Sequence, residues 1–325
     1  MARLSPIEEL RLLTKVSKLY YEEDLNQDAI MDKMQLSRAK VSRLLKEARD
    51  RGIVKISVSP PPEIHSDLEV RLENRFGLKE AIVVEVSNPT SNDVVARELG
   101  AAASSYIQRV LKNGDMLGVS WGTTMNYMAS AMQSDSMPDV QVVQVIGGLG
   151  PAESEMHATD ICRRLSRTLK CKLSLLPAPG IVKNTEIKKV FLTDSYVQKT
   201  MNAFANLTIA VLGIGAPTPN SVTMRDGEII TDDELSDLLK LGVKGDIALR
   251  FFDVEGNPVK SDVDERVIGV TLEELSHVHR VVGVAGGPEK EVVIRAALLG
   301  KLVNVLVTDQ VTAQCLLDNG SKSRK

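Results

Sequence analysis

The sequence predicts an α/β chain in two parts: a helical head with a small β wing, then a longer domain built on a parallel sheet. Three observations carry that prediction. From Ile7 to Ala48, apolar residues recur every three or four positions, the period of helices with one buried face. From Ala81 onward, short apolar runs of strand length alternate with helical patterns. These runs lack the apolar–polar alternation of a sheet with one wet face, so the strands are covered on both sides. The sign of the charge also changes: Met1 to Ser59 carries 12 Lys and Arg against 9 Asp and Glu, about +3, and the remainder carries 28 against 34, about -6.

At 325 residues the chain exceeds one average domain. A hydrophobic content of 43% with 26% charged residues is ordinary for a globular protein, and no uninterrupted apolar run reaches membrane-spanning length. The opening MARLSPIEELRLL is too charged for a secretory signal. Three cysteines, Cys162, Cys171 and Cys315, follow no metal-ligand spacing, and so few in so long a chain point to the reducing cytoplasm. Aromatic residues make up 3%, too few for the stacking platforms of single-strand or RNA binding.

Taken in order, Ser5 and Pro6 open a helix whose apolar positions run through Ile7, Leu10, Leu13, Val16 and Leu19. Leu25 to Lys55 then reads as two helices joined by a tight turn at Met34 to Ser37. Ser37 occupies the N-cap position, and the helix it opens carries Arg38, Lys40, Ser42, Arg43 and Lys46 off its apolar stripe. A basic, hydroxyl-bearing helix fits the major groove of duplex DNA, where Arg and Lys pair with guanine edges and Ser holds phosphate. This is the pattern of a helix-turn-helix recognition helix; an ordinary solvated helix face is the plainer reading. Gly52 stops the helix, and Ile53 to Val58 alternates like a strand, which predicts the wing. Pro60, Pro61 and Pro62 mark the boundary between residues 1–59 and 60–325.

Ile64, Leu68, Leu72 and Phe76 form one further helical stripe. The strand-like runs AIVVEV, MLGVS, VQVVQVIG, KLSLLPA, LTIAVLGIG, GDIALRFFD, VHRVVGVAG and VNVLVTD follow, most separated by helical stretches, in a Rossmann-like layout. Glycines end several runs, at Gly118, Gly147, Gly213 and Gly286. Ligands of open parallel sheets sit outside the carboxyl ends of the strands, where glycine lets the backbone approach.

Three stretches could carry ligand chemistry. Ser120, Trp121, Gly122, Thr123 and Thr124 make a strand-to-helix turn where N–H groups, hydroxyls and the helix dipole converge, a phosphate cradle that can also be plain capping. In Gly286-Gly287-Pro288-Glu289-Lys290, a lysine in a first helical turn opposes the dipole unless an anion binds there. Asp246 can accept two sugar hydroxyls or serve as a turn residue. No Ser-His-Asp order or paired-carboxylate motif stands out, and G-x-G-x-x-G is missing after the relevant strands, which argues against a dinucleotide sensor.

The stretches SRAKVSRLLKEARDRGIVKI, GVSWGTT, GDIALRFFD, VVGVAGGPEK and VNVLVTDQVTAQCLL occur in an order that resembles the SorC family of bacterial sugar-operon transcription regulators, grouped with the deoxyribonucleoside regulators. The resemblance covers nearly the full chain. It implies a DNA-binding regulator, not an enzyme, with an effector domain related to sugar-phosphate isomerases. A phosphorylated sugar or polyol would be the effector, and a homo-oligomer, dimer or tetramer, would sit on operator DNA. By position, Gly122, Thr123 and Thr124 would hold the phosphate, Asp246 the sugar hydroxyls, and Lys290 the phosphate or a ring oxygen, with Gly147 and Gly148 lining the cleft. Some relatives have a basic residue just before that glycine pair; Ile146 stands there in this chain, so no imine or basic contact carries over to that position. The alternative is an isomerase or deaminase-like enzyme with Asp246 or Lys290 as its acid–base group.

Overall fold

The computed structural model describes residues 5–56, 61, 64–149, 157–218 and 229–318. The chain divides into two compact units, Met1–Ser59 and Pro60–Lys325.

The first unit is built from the helices α1 (Pro6–Tyr21), α2 (Gln27–Met34) and α3 (Arg38–Asp50). Each opens on a side-chain cap: Ser5 Oγ accepts the Glu8 N–H, Asn26 Oδ1 the Ala29 N–H, and Ser37 Oγ the Lys40 N–H. Gln35 takes a left-handed φ of 51° and turns the chain between α2 and α3. Leu13, Val16, Ile30, Val41, Leu44 and Leu45 close the core of this unit. The expected wing strand is not formed over Ile53–Ile56. There the Ile53 and Val54 N–H groups both reach back to the Ala48 carbonyl, and their side chains pack on the three-helix core instead. Ser57 and Val58, the end of that expected strand, lie outside the described residues, as do Pro60 and Pro62.

The second unit begins with α4 (Ser66–Phe76) and continues through β1 (Glu80–Val84), α5 (Asn92–Val110), β2 (Met116–Val119), α6 (Thr123–Ala131), β3 (Gln141–Gln144), α7 (Ala158–Leu169) and β4 (Lys172–Ser174). After α8 (Thr185–Thr193) and α9 (Ser195–Asn202) come β5 (Ile209–Gly213), α10 (Asp232–Lys240), β6 (Gly245–Ile247), β7 (Arg250–Phe252), α11 (Asp262–Arg266) and α12 (Leu272–Ser276). The unit ends with β8 (Arg280–Val284), α13 (Glu291–Leu299), β9 (Val305–Asp309) and α14 (Gln310–Asp318).

Seven strands form one sheet in the order β1-β9-β8-β5-β2-β3-β4, with every pairing parallel. The continuous apolar runs are explained by burial on both faces. Along β5, Ile209 and Val211 enter one apolar cluster while Ala210 and Leu212 enter the other. The helix α4 belongs to this unit: Leu72 is fully buried in its larger cluster. The Glu73 and Glu69 carboxylates accept the Ala81 and Val83 N–H groups of β1, both at 3.0 Å, and so blunt the sheet edge.

The run GDIALRFFD departs from the expected parallel strand. It folds as an antiparallel hairpin, β6–β7, apart from the main sheet. Its turn residues Ala248 and Leu249 both take left-handed φ, 53° and 59°, the backbone of a two-residue hairpin turn that usually calls for Asn-Gly.

Candidate functional site

From β2 the sheet grows one way, to β3 and β4; from β5 it grows the other way, to β8 and β9. The strand order therefore reverses between β2 and β5, and the crevice outside their carboxyl ends is where an open α/β sheet takes a ligand. The loops after β2, β5 and β8 belong to three consecutive strands, so they span only about 10 Å at ordinary strand spacing.

The loop after β2 carries Ser120, Trp121 and Gly122. Ser120 is buried and its N–H donates to the Val211 carbonyl of β5 at 3.3 Å, which pins the loop to the crevice. Trp121 is half-buried against the larger apolar cluster. Gly122, at φ 115°, precedes α6, which starts at Thr123 and Thr124 with no side-chain cap and no acidic residue in its first turn. Its positive end therefore meets no side-chain cap and no first-turn carboxylate among the described residues.

Over β5 stands Asp246. Its backbone pairs with Gly215, N–H to carbonyl in both directions at 2.9 and 3.0 Å, and its Oδ1 fills the space a Cβ on Gly215 would need. The side chain is buried, with the residue only 5% exposed. Oδ2 accepts the Leu249 N–H at 3.1 Å, while Oδ1 has no partner among the described residues. Burial pushes this carboxyl up from its ordinary 3.8 to about 6, against the Leu249 N–H and the Lys290 charge, which favour the ionised form.

After β8, Gly286 and the left-handed Gly287 (φ 94°) lead into a short 3-10 turn, Pro288–Lys290, ahead of α13. The half-buried Lys290 ammonium is held below its usual range by burial, against the pull of Asp246 and Glu289. Lys290 and Asp246 feel each other, yet no ion pair joins them. A buried carboxylate oxygen with no partner among the described residues, near a half-buried ammonium, suits a group between them that both donates and accepts, as a hydroxyl does.

The glycine pair after β3 is split. Gly147 is buried, and a Cβ there would lie 2.4 Å from the Ala178 carbonyl, so its identity is explained by close packing; Gly148 is exposed. Ile146 is fully buried in the larger core cluster. Of the candidates read from the sequence, Ser120 to Thr124, Asp246 and Lys290 thus come to adjoining strand tips.

Sequence reasoning missed the supports. Asp309, at the end of β9, is fully buried; its Oδ2 accepts the Gly287 N–H at 2.7 Å and the Thr312 hydroxyl at 2.6 Å, fixing the loop that leads to Lys290. An Asp ending an apolar run before a helix was the available signal. Gly215 and Leu249 carried none, because their roles depend on the hairpin. Arg250 is buried and donates to the Val270 and Gly269 carbonyls and to Asp264 Oδ1 at 2.9 to 3.0 Å, which locks the hairpin over the sheet.

In the first unit, α3 buries Val41, Leu44, Leu45 and Ala48 and leaves Ser37, Arg38, Ser42, Arg43 and Lys46 exposed, with Lys40 half-buried. Arg38 lies 3.6 Å from Asp28 of α2, an exposed pair. Among the described residues no group of three His, Cys, Asp or Glu could hold a metal, and no helix is long and apolar enough to cross a membrane.

Comparison with known proteins fits this geometry. The family model of a sugar-binding domain matches residues 61–318. The deoxyribonucleoside regulator of Bacillus subtilis is 33% identical over 312 residues, covering 96% of this chain and 99% of its own. The crystal structure of the full-length sorbitol operon regulator SorC from Klebsiella pneumoniae is 30% identical, with a TM-score of 0.73, over 96% of this chain and 100% of that one. This chain belongs to the SorC family. The transcriptional regulator LsrR of Klebsiella pneumoniae, 33% identical over 95% of this chain and 93% of its own, is a further member. As a SorC-family protein the chain is a sugar-responsive transcription regulator rather than an enzyme, and its fold is the family's: a DNA-binding head followed by a parallel α/β sugar-binding domain.

Proposed function

We propose that this regulator reads operator DNA through α3 and is controlled by a phosphorylated sugar or polyol bound at the crevice between β2 and β5. Residues 1–59 are the DNA-binding head, with Ser37, Arg38, Lys40, Ser42, Arg43 and Lys46 facing the groove and its phosphates. Residues 60–325 bind the effector and hold the cytoplasmic homo-oligomer, a dimer or tetramer, together. The uncapped start of α6 at Gly122, Thr123 and Thr124 takes the phosphate, with Ser120 and Trp121 framing it. The hydroxyl-bearing end lies toward Asp246 and Lys290, and Gly148 borders the far side. The observation that carries this reading is the buried Asp246, whose Oδ1 has no hydrogen-bond partner among the described residues, with Lys290 near it on the adjoining strand tip.

A ligand that binds one arrangement of the oligomer better shifts the population toward it, and so changes the spacing of the DNA-binding heads. The test is a panel of sugar and polyol phosphates, their unphosphorylated parents and inorganic phosphate, read by Trp121 fluorescence and thermal shift. One phosphorylated compound is expected to stabilise the chain by about 2.7 kcal/mol at a hundredfold excess over its dissociation constant, and Lys290→Ala to abolish the effect. A panel in which the unphosphorylated parents stabilise as well as the phosphates removes the phosphate from the proposal; a panel with no response removes the crevice.

A further inference from the structure

Helix α8 is unusually bare. It has nine residues, none of them fully buried: Phe191 and Leu192 pack on the larger core cluster, while Ile187 and Val190 stay exposed on the other side. Val190 is 70% exposed, and Tyr196 on the following α9 is 72% exposed. The exposed Lys183, Lys189 and Lys199 lie on and just before these two helices and add positive charge to them.

An acidic surface adjoins it. Lys188 Nζ of α8 donates to the Glu265 carbonyl of α11 at 2.8 Å. The buried Arg266 ties the pieces together, donating to the Val182 carbonyl just before α8 at 3.1 Å, to Asp262 Oδ2 at 2.9 Å, and to Glu234 of α10. The exposed carboxylates of α10 and α11, among them Asp232, Asp233, Asp262 and Glu265, therefore stand beside the lysines of α8 on one continuous surface.

A surface with a basic half next to an acidic half is self-complementary. Rotating a copy by a two-fold lays each basic half on the other's acidic half, while Val190 and Tyr196 leave water at the centre. We propose that the α8–α9 face, with the adjoining acidic faces of α10 and α11, is the docking surface for a second copy of this chain. An apolar centre inside a charged rim is the usual anatomy of a subunit contact. The occupant is a second copy because both halves of the charge match are present on one molecule.

The experiment is sedimentation of the full chain across a concentration series. Val190→Glu is expected to halve the assembly mass at micromolar concentration, as a charge cannot be buried at the centre of the contact. Lys183→Glu with Lys189→Glu sets acid against acid and is expected to raise the dissociation constant at least tenfold. Adding Asp232→Lys and Asp233→Lys in the same chain reverses both halves and is expected to restore the original mass. All five positions are exposed, and thermal unfolding of each variant checks that it remains folded. A Val190→Glu chain that sediments like the parent, or a fourfold reversal that stays dissociated, overturns the assignment.

Discussion

The two units handle charge in opposite ways. On α3 the basic side chains, apart from the half-buried Lys40, stand in water, where they cost almost nothing. In the second unit the Asp246 carboxyl is taken out of water with one oxygen lacking a hydrogen-bond partner among the described residues, which costs the folded protein stability when that carboxyl is ionised. Under the proposed function, a reading surface is held ready at almost no cost, while the effector site carries an unfavourable state for its ligand to relieve.

The largest effect should come from the second unit's scaffold. Arg250→Met strips the hairpin of its buried ion pair with Asp264 and of its bonds to the 264–270 carbonyls. The expected loss is about 3 to 5 kcal/mol in the unfolding of that unit. Trp121, the single tryptophan, reports on this transition in urea, while the first unit should keep its helical signal.

Asp246→Asn should do the reverse. The folded state holds the Asp246 proton more tightly than the unfolded chain, so stability falls as pH rises from about 4 to about 6, by about 3 kcal/mol at most. The Asn variant should therefore be more stable than the parent by about that amount at pH 8. The gain should vanish near pH 4, and the effector response should be lost at every pH. Urea midpoints at pH 4, 6 and 8 with an unchanged slope check it; a variant less stable at pH 8 would mean that Asp246 is already compensated.

The smallest effect belongs to the exposed side of the comparison. Arg43→Ala should leave folding unchanged and cost about 1 to 3 kcal/mol in operator binding if the guanidinium reads a base. A salt titration of binding distinguishes a phosphate contact, which would instead flatten the salt slope by about one unit.

Legibility in the sequence follows the same division. The head was readable because its information is local: spacing, helix openings at Ser5 and Ser37, and a basic face. Only the wing failed over Ile53–Ile56, where an alternating run found the helical core a better partner than another strand. The parallel sheet was readable from runs buried on both faces, and the glycines that end those runs lie at its carboxyl edge. The hairpin was not, because its turn uses Ala248 and Leu249 in a conformation that neither residue favours. Asp246 could be suspected as a turn carboxylate, but its unpaired oxygen over Gly215 comes from tertiary closure alone.

Behind the crevice, the backbone makes a continuous rail. Gly148 exchanges hydrogen bonds with Ala178 and Gly180 at 2.9 and 2.6 Å, Ile268 donates to Gly180 at 2.9 Å, and Val182 donates to the Arg266 carbonyl at 3.2 Å. Val182 leads into α8, and Arg266 closes α11. Moving one rung of such a ladder leaves backbone N–H and C=O groups without partners, which is costly. Under the proposed function, a ligand that displaced Gly148 would therefore load the same row of hydrogen bonds that ends at the start of α8.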